Sequence, residues 1–230
     1  MTALNAIPRL VSDYPSRNVV DAAVSNQDFP RAYRKPQENV FVDGMSVDLE
    51  DYFQVEAFAS RIPRSAWPFI PSRIRSSTSR VLELLQRNQC RATFFVLGWV
   101  AEREPSLIRE IAQAGHELAC HSHLHRPLHQ LSQSEFREDL RKSREVIEDV
   151  SGMRVVGFRA PTFSITNKSL WALEILAEEG FEYDSSIFPI RHDLYGIPSA
   201  PRWIHQETLP SGRAGFKGCC LAVVWPTLSC

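Results

Sequence analysis

The chain has 230 residues, enough for one large domain or two small ones with a buried core. Its 43% hydrophobic and 23% charged residues are typical of a globular protein, and a net charge of −1 gives no reason to expect a nucleic-acid or membrane-surface partner. Since no run of about 18 apolar residues and no recognisable signal peptide occurs, we expect no membrane span and a cytoplasmic location.

The first half of the chain begins with an irregular segment and continues into alternating elements. Residues 1–39 mix proline, asparagine, serine and charges without a period, which predicts a flexible N-terminal arm. The segment "NVFVDGMSVDLED" predicts a strand ending near Asp48, and the proline-rich stretch 61–73 predicts a loop. A helix over "SSTSRVLELLQRN" and a buried strand over "CRATFFVLGW" follow.

The alternation of helix and strand continues through the second half. Helices are predicted over 104–115, 132–152 and 167–180, each ending at a glycine, and the second opens with Ser132 and Glu135 at capping-box spacing. Strands are predicted over 116–122, 154–161 and 181–186. Helices between strands indicate an α/β fold with a parallel sheet or barrel.

In such folds the functional residues gather where the strands end. The residues of suitable chemistry in this chain follow that rule, because they stand at or just after four predicted strands: Asp48, Glu50, Asp51, His121, His125, Arg159, Pro161 and Asp184.

Three of the seven histidines lie within "HSHLH", at positions 121, 123 and 125. His121 and His125 are four residues apart, so a tight loop after a strand can direct both at one divalent ion such as zinc. A carboxylate from "VDLEDY" would complete a site with two histidines and one acid, with positions left for water and substrate. We expect His123 to face solvent and His116 to be structural.

Hydrolysis at such a metal needs a second carboxylate that takes the proton from water. Asp48, at the strand end, fits this base. Glu50 lies two residues further and therefore on the same side of an extended chain, which fits the metal ligand, with Asp51 as the alternative. Arg159 is predicted to fix the base through a charge-assisted hydrogen bond.

The segments "SVDLEDY", "HSHLH", "FRAPTFS" and "YDSSIF" resemble, in order and spacing, the motifs of the polysaccharide deacetylase superfamily, carbohydrate esterase family 4. The resemblance covers roughly residues 40–205. The wording of "SVDLEDYFQVEAF" and "RHDLYGIPSAPR" is most similar to the subgroup found with exosortase and exopolysaccharide loci.

The resemblance implies a distorted (β/α) barrel and a metal-dependent hydrolase, with zinc as the expected ion, that removes N-acetyl groups from the amino sugars of a polysaccharide. By it, Asp48 is the base, His121 and His125 are metal ligands, Arg159 and Pro161 form an Arg-x-Pro motif, and Asp184 flanks the groove and helps to orient the arginine. Phe163 and Trp67 are candidates to line a sugar groove.

The family's barrel continues beyond its Asp-Ser segment to a late histidine that acts as general acid, and no matching motif occurs here. We therefore expect a catalytic domain over 40–209 that is incomplete at its C-terminus, followed by an aberrant tail over 210–230. Two alternatives stay open: a related amidohydrolase acting on a small cyclic amide or imide, and a truncated product without catalytic activity.

Overall fold

The computed structural model describes residues 44–193, 195–202, 204–209 and 214–218. The predicted N-terminal arm lies outside the described residues, and so does the predicted tail except for 214–218. None of the helices in the described ranges is long and apolar enough to cross a membrane.

The described strands form one seven-stranded sheet. Its strands are β1 (Met45–Leu49), β2 (Ala92–Val96), β3 (Glu117–Cys120), β4 (Gly157–Phe158), β5 (Tyr183–Asp184), β6 (His205–Thr208) and β7 (Ala214–Gly218). They lie in the order β1-β2-β3-β4-β5-β7-β6, with parallel pairing up to β7 and an antiparallel β6 at the edge. The α/β class and parallel sheet predicted from the sequence are thus confirmed, and within the described residues the sheet is open.

Helices connect the parallel strands along the chain. They are α1 (Ile74–Arg87), α2 (Gly98–Arg103), α3 (Pro105–Gln113), α4 (Gln133–Ser151) and α5 (Trp171–Glu178). Short 3-10 helices occupy Glu56–Phe58, Arg64–Phe69, Leu128–Gln130 and Pro161–Phe163.

The longest helix, α4, shows why the sequence folds locally as it does. The Ser132 side chain accepts a hydrogen bond from the backbone N–H of Glu135, whose carboxylate returns to the Ser132 backbone, so the predicted capping box is present. The helix ends at Gly152, whose φ of 68° lies in the left-handed region that glycine adopts at no steric cost.

The core lies on both faces of the sheet. In β2 the residues Phe94, Phe95 and Val96 have no exposed surface, as expected of a central parallel strand that is covered on both faces. On α4, Phe136 packs edge-on against Phe158 of β4 and Trp171 of α5. These contacts join the sheet to its helices.

The structure contains elements that the sequence pattern does not predict. Residues 98–103 form α2, although Gly98 and Trp99 were included in the preceding strand prediction. A Cβ at Gly98 would collide with the side chains of His123 and Ser143, so only glycine permits this close approach. Beyond residue 209, where no regular element was predicted, β7 pairs with β5 inside the sheet.

Phe136→Ala is expected to lower the free energy of unfolding by about 3–5 kcal/mol, because it removes a fully buried aromatic side chain. Phe69→Ala, at a position that is 86% exposed, is the matched control and should change it by less than about 0.5 kcal/mol. Urea unfolding of both variants measures this, and equal losses would contradict the assigned core.

His116 tests the electrostatics of the fold. Its buried ring accepts a hydrogen bond at Nδ1 from the backbone N–H of Ala92 (3.2 Å), and burial together with the positive charge of Arg91 lowers its pKa below 6.5. A lowered histidine pKa favours the neutral folded form, so this contribution to stability is present above pH 6.5 and is lost as the pH falls through the lowered value. NMR titration, with His116→Gln to assign the resonance, should give a pKa below 6.5; a value at or above 6.5 would refute the assignment.

Candidate metal centre and active site

The carboxyl ends of neighbouring strands bring the predicted site residues together. Asp48 belongs to β1, while His121, Arg159 and Ser185 directly follow β3, β4 and β5. Each of these three donates its backbone N–H to the last residue of the neighbouring strand in the sheet, at 2.8 or 2.9 Å. The acceptors are the carbonyls of Val96 in β2, Cys120 in β3 and Phe158 in β4, respectively. The parallel ladder therefore extends one residue beyond each strand and fixes where these side chains begin.

Glu50, His121 and His125 form a group that can hold a metal ion, because one ligand atom from each lies within 4.8 Å of the others. His125 Nε2 is 2.9 Å from Glu50 Oε2, and both side chains are largely buried. Nevertheless, this buried Glu50 oxygen forms no hydrogen bond with any residue in the described ranges. Close approach without hydrogen-bond geometry is expected of two ligands that face a common ion.

A backbone carbonyl next to the group fixes the tautomer of His121. Its Nδ1 lies 2.8 Å from the backbone carbonyl of Arg159, and a carbonyl only accepts, so Nδ1 carries the proton and Nε2 offers its lone pair. Burial lowers the pKa of His121 against the opposing effect of the Asp48 and Glu50 carboxylates. A lowered pKa keeps the ring neutral at pH 7, which is the form that binds metal.

Asp51, the alternative carboxylate ligand, does not join this group. Its Oδ2 accepts hydrogen bonds from the Ser72 hydroxyl (2.6 Å) and from the backbone N–H groups of Arg73 (2.9 Å) and Ile74 (3.3 Å). These groups lie at the N-terminus of α1, where a carboxylate satisfies free N–H donors and interacts favourably with the helix dipole. Successive residues after β1 thus serve different purposes: Glu50 faces the histidines and Asp51 holds the helix.

Asp48 and Arg159 form the ion pair that the sequence predicts. Arg159 Nη1 donates to Asp48 Oδ1 at 2.6 Å, and the side chains are 1% and 13% exposed. The rest of the guanidinium is also engaged: Nη2 donates to the hydroxyls of Ser46 and Ser185, and Nε donates to the Ser185 carbonyl. Its Cζ lies 3.9 Å from the centre of the Phe95 ring. Ser46 and Ser185 were not singled out in the sequence, since serines carry no spacing signal of their own.

The remaining predicted residues surround this pair. Asp184 is buried, and its carboxylate accepts from the backbone N–H and hydroxyl of Ser186, while Ser185 between them contacts Arg159. Pro161 opens a buried 3-10 turn that ends at Phe163, whose ring centre is 5.6 Å from Arg159 Cζ. Thr162 and Phe163 both have positive φ, so this turn holds a backbone conformation uncommon outside glycine.

The expectation about His123 was wrong. His123 does not face solvent: it is 3% exposed, and its Nε2 lies 3.7 Å from Glu102 on α2. Positive φ angles at Ser122 and His125 end the alternation of a strand and turn the middle histidine away from its neighbours. Trp67 is 3% exposed and packs against Phe53 and Trp99, but it also lines a cavity, so its place in a sugar groove stays a prediction.

The donor set fits a divalent metal ion. Two imidazole nitrogens and one carboxylate oxygen are the protein ligands of one class of catalytic zinc site, which keeps a further position for water or substrate. Moreover, the buried Glu50 oxygen lacks a partner that such an ion would supply. A cavity of about 360 Å³ runs along β1, and Asp48 and Glu50 are among its lining residues.

Replacement of the adjacent acids distinguishes their roles. Glu50→Ala should weaken zinc binding more than about a hundredfold, since even the partners of metal ligands contribute 10–100-fold. Asp51→Ala should leave zinc affinity unchanged and instead lower the free energy of unfolding by about 1–2 kcal/mol through the loss of the contacts at α1. Isothermal titration with zinc and urea unfolding measure the two effects; the reverse pattern would contradict the assignment.

Comparison with known proteins shows what the chain resembles. The family model described as polysaccharide deacetylase matches residues 68–183. The peptidoglycan-N-acetylglucosamine deacetylase of Bacillus cereus is 32% identical over 98 residues, which are 42% of this chain and 36% of that protein. The peptidoglycan deacetylase of Helicobacter pylori is 31% identical over 124 residues, 54% of this chain and 41% of that protein.

The fold has a counterpart among solved structures. A Mycobacterium smegmatis protein assigned as a polysaccharide deacetylase superposes with a TM-score of 0.56 and 28% identity, over 76% of this chain and 56% of that one. The chain thus aligns with about two fifths of the length of the two curated relatives. Because the family model matches half of the chain, the chain belongs to the polysaccharide deacetylase family.

Proposed function

We propose that this chain is a metal-dependent deacetylase that hydrolyses the C–N bond of N-acetyl groups on the amino sugars of a polysaccharide. The observation that carries the proposal is the juxtaposition of two units: a buried group of Glu50, His121 and His125, and a carboxylate, Asp48, held by Arg159. Relatives named as peptidoglycan deacetylases support the reaction class.

The metal, which we propose to be zinc, would be held by Glu50, His121 and His125. When bound, such an ion polarises the acyl oxygen and lowers the pKa of water. The chain's own contribution is to keep His121 neutral through burial and to hold its Nδ1 proton on the Arg159 carbonyl. Both features preserve the lone pair that a ligand needs.

Asp48 acts as the general base in this proposal. Because Oδ1 accepts from Arg159, Oδ2 is the oxygen that takes the proton from the attacking water. Hydrolysis of an amide releases an amine, which needs a proton, and Asp48 then holds one. Arg159 is a positioning residue: its other donors are bound by serines, so it cannot swing away with the carboxylate.

The substrate class follows from the family and from the resemblance of particular segments. An N-acetylated exopolysaccharide is the substrate that the similarity to the exosortase-associated subgroup supports, and the curated relatives are named for peptidoglycan. We further propose that the catalytic domain begins just before β1 and includes β7, since β7 pairs with β5 next to the site.

Asp48→Asn should lower acetate release from chitooligosaccharides by about 10²–10⁴-fold, the usual contribution of a general base, while zinc affinity is retained. The substitution keeps the shape of the side chain and an oxygen that can accept from Arg159. Acetate release, measured with and without a chelator, and zinc titration give the two readouts.

Three results would contradict the proposal. One is turnover by Asp48→Asn within about threefold of the unmodified chain, which would exclude Asp48 as the base. Another is hydrolysis of a small cyclic amide such as allantoin in place of any N-acetylated glycan. The third is the absence of acetate release from zinc-loaded protein, which would favour the inactive alternative.

A further inference from the structure

One of the two histidines in the metal-binding group, His125, has a backbone conformation that is uncommon for its residue type. Its φ is 52°, in the left-handed region that glycine adopts readily and other residues rarely do. In this conformation the His125 ring lies against that of His121, with ring centres 5.3 Å apart. Such a conformation persists only where the surrounding structure holds it.

The His125 ring is not held through its second nitrogen, in contrast to that of His121. The Nδ1 atom of His121 lies 2.8 Å from the carbonyl of Arg159, whereas Nδ1 of His125 forms no hydrogen bond with any residue in the described ranges. Metal-binding histidines are usually oriented by a hydrogen bond from the other ring nitrogen. The position of His125 Nε2 therefore depends on the backbone that carries the ring.

The first part of the HSHLH loop (residues 121–125) is held by two helices. The carbonyl of Ser122 accepts hydrogen bonds from the backbone N–H of Gly98 (3.0 Å) and from the Ser143 hydroxyl (2.9 Å). The carbonyl of His123 accepts from the backbone N–H of Trp99 (3.1 Å). These donors belong to α2 and α4, so the helices that cover the sheet fix the loop as far as His123.

The last part of the HSHLH loop is held by one side chain from another segment, that of Arg64. Its Nε donates to the carbonyl of Leu124 (2.7 Å), and its Nη2 donates to the carbonyl of His125 (3.1 Å). The planar guanidinium presents these donors in a rigid fork that reaches two successive carbonyls. A lysine ammonium has no such fork.

Arg64 is itself supported by the core. It begins the 3-10 helix Arg64–Phe69, and its Cζ lies 5.9 Å from the centre of the Trp67 ring. Trp67 is buried and packs against Phe53 and Trp99. The donors that hold the loop therefore start from a packed aromatic cluster.

We propose that Arg64 is a positioning residue of the metal centre, which raises zinc affinity by holding His125 in the left-handed conformation that places its Nε2 beside Glu50. This inference rests on the proposed function, since it takes Glu50, His121 and His125 as the ligands. Arg64 precedes the region 68–183 that the family model matches, so this support comes from a part of the chain outside that region.

Two substitutions test the fork. Arg64→Met removes the guanidinium but keeps most of the length of the side chain, and Arg64→Lys keeps the charge without the fork. We expect isothermal titration with zinc to show affinity reduced about tenfold or more in Arg64→Met, the usual effect of losing a group that orients a ligand, and by a smaller factor in Arg64→Lys. Arg61→Met removes the same charge from an exposed residue of the same segment and should leave zinc affinity unchanged.

The sign of the change separates positioning from charge. Removal of a positive charge near a cation site should by itself strengthen cation binding, because it removes a repulsion. Weaker binding in Arg64→Met therefore points to the lost fork.

Two further measurements separate positioning from a general loss of stability. With cobalt in place of zinc, the visible absorption depends on the arrangement of the ligands, so the spectrum should change in Arg64→Met and stay the same in Arg61→Met. In thermal unfolding, the increase in Tm on addition of zinc should be smaller in Arg64→Met, because the stabilisation follows the affinity. A merely structural contact would lower Tm equally with and without zinc.

The outcomes distinguish this inference from the proposed function. Zinc affinity and cobalt spectra that match the unmodified chain in both Arg64 variants would overturn the positioning role and leave the proposed function intact. If Arg64→Met does not fold, an unchanged zinc affinity in Arg64→Lys would overturn the role in the same way. Weakened zinc binding in the variants, with no acetate release from any glycan by the unmodified chain, would support the role and overturn the proposed function. Failure of the unmodified chain to bind zinc would overturn both.

Discussion

The burial of one positive charge, that of Arg159, governs how the rest of this molecule is arranged. A guanidinium that is 1% exposed is stable only when its donors are bound and its charge is paired, because removal from water costs several kcal/mol. Here Asp48 supplies the charge, Ser46 and Ser185 supply oxygens, and the face of Phe95 covers the plane. These partners come from three different segments, so the arginine determines how the ends of β1, β2 and β5 meet.

The metal-binding group depends on the same arginine through its backbone. The Arg159 carbonyl holds His121, so the residue that orients the base also sets the tautomer of a ligand. On the other side of the site, Arg64 binds the carbonyls of the loop that carries His125. Two arginines therefore hold the two histidines, and both do so through main-chain oxygens. On the His121 ring, Nε2 remains available for the ion.

The alternation of side chains along an extended strand predicts Asp48 as the base and Glu50 as the metal ligand. The sequence motifs predict Arg159 as the partner of the base and the two outer histidines as metal ligands. Burial of His123 could not be predicted in this way, since it depends on positive φ at Ser122 and His125, which neither residue type signals. Periodicity predicted the helices with clear caps, such as α4, whereas the short α2 depends on the close packing of Gly98. Strand β7 also escaped prediction, because its pairing with β5 is a long-range contact without a local pattern.

The ion pair between Asp48 and Arg159 joins residues that are 111 positions apart, and the contact from Arg159 to Ser46 spans 113. Contacts at such separation form only after a large entropic cost of loop closure, so they delay folding relative to local helices. A nascent chain that has emerged only as far as α4 contains both histidines and Asp48 but lacks the arginine that positions them. The site is therefore complete only when the sheet is complete. A partly folded chain would contain helices but not the ion pair between Asp48 and Arg159.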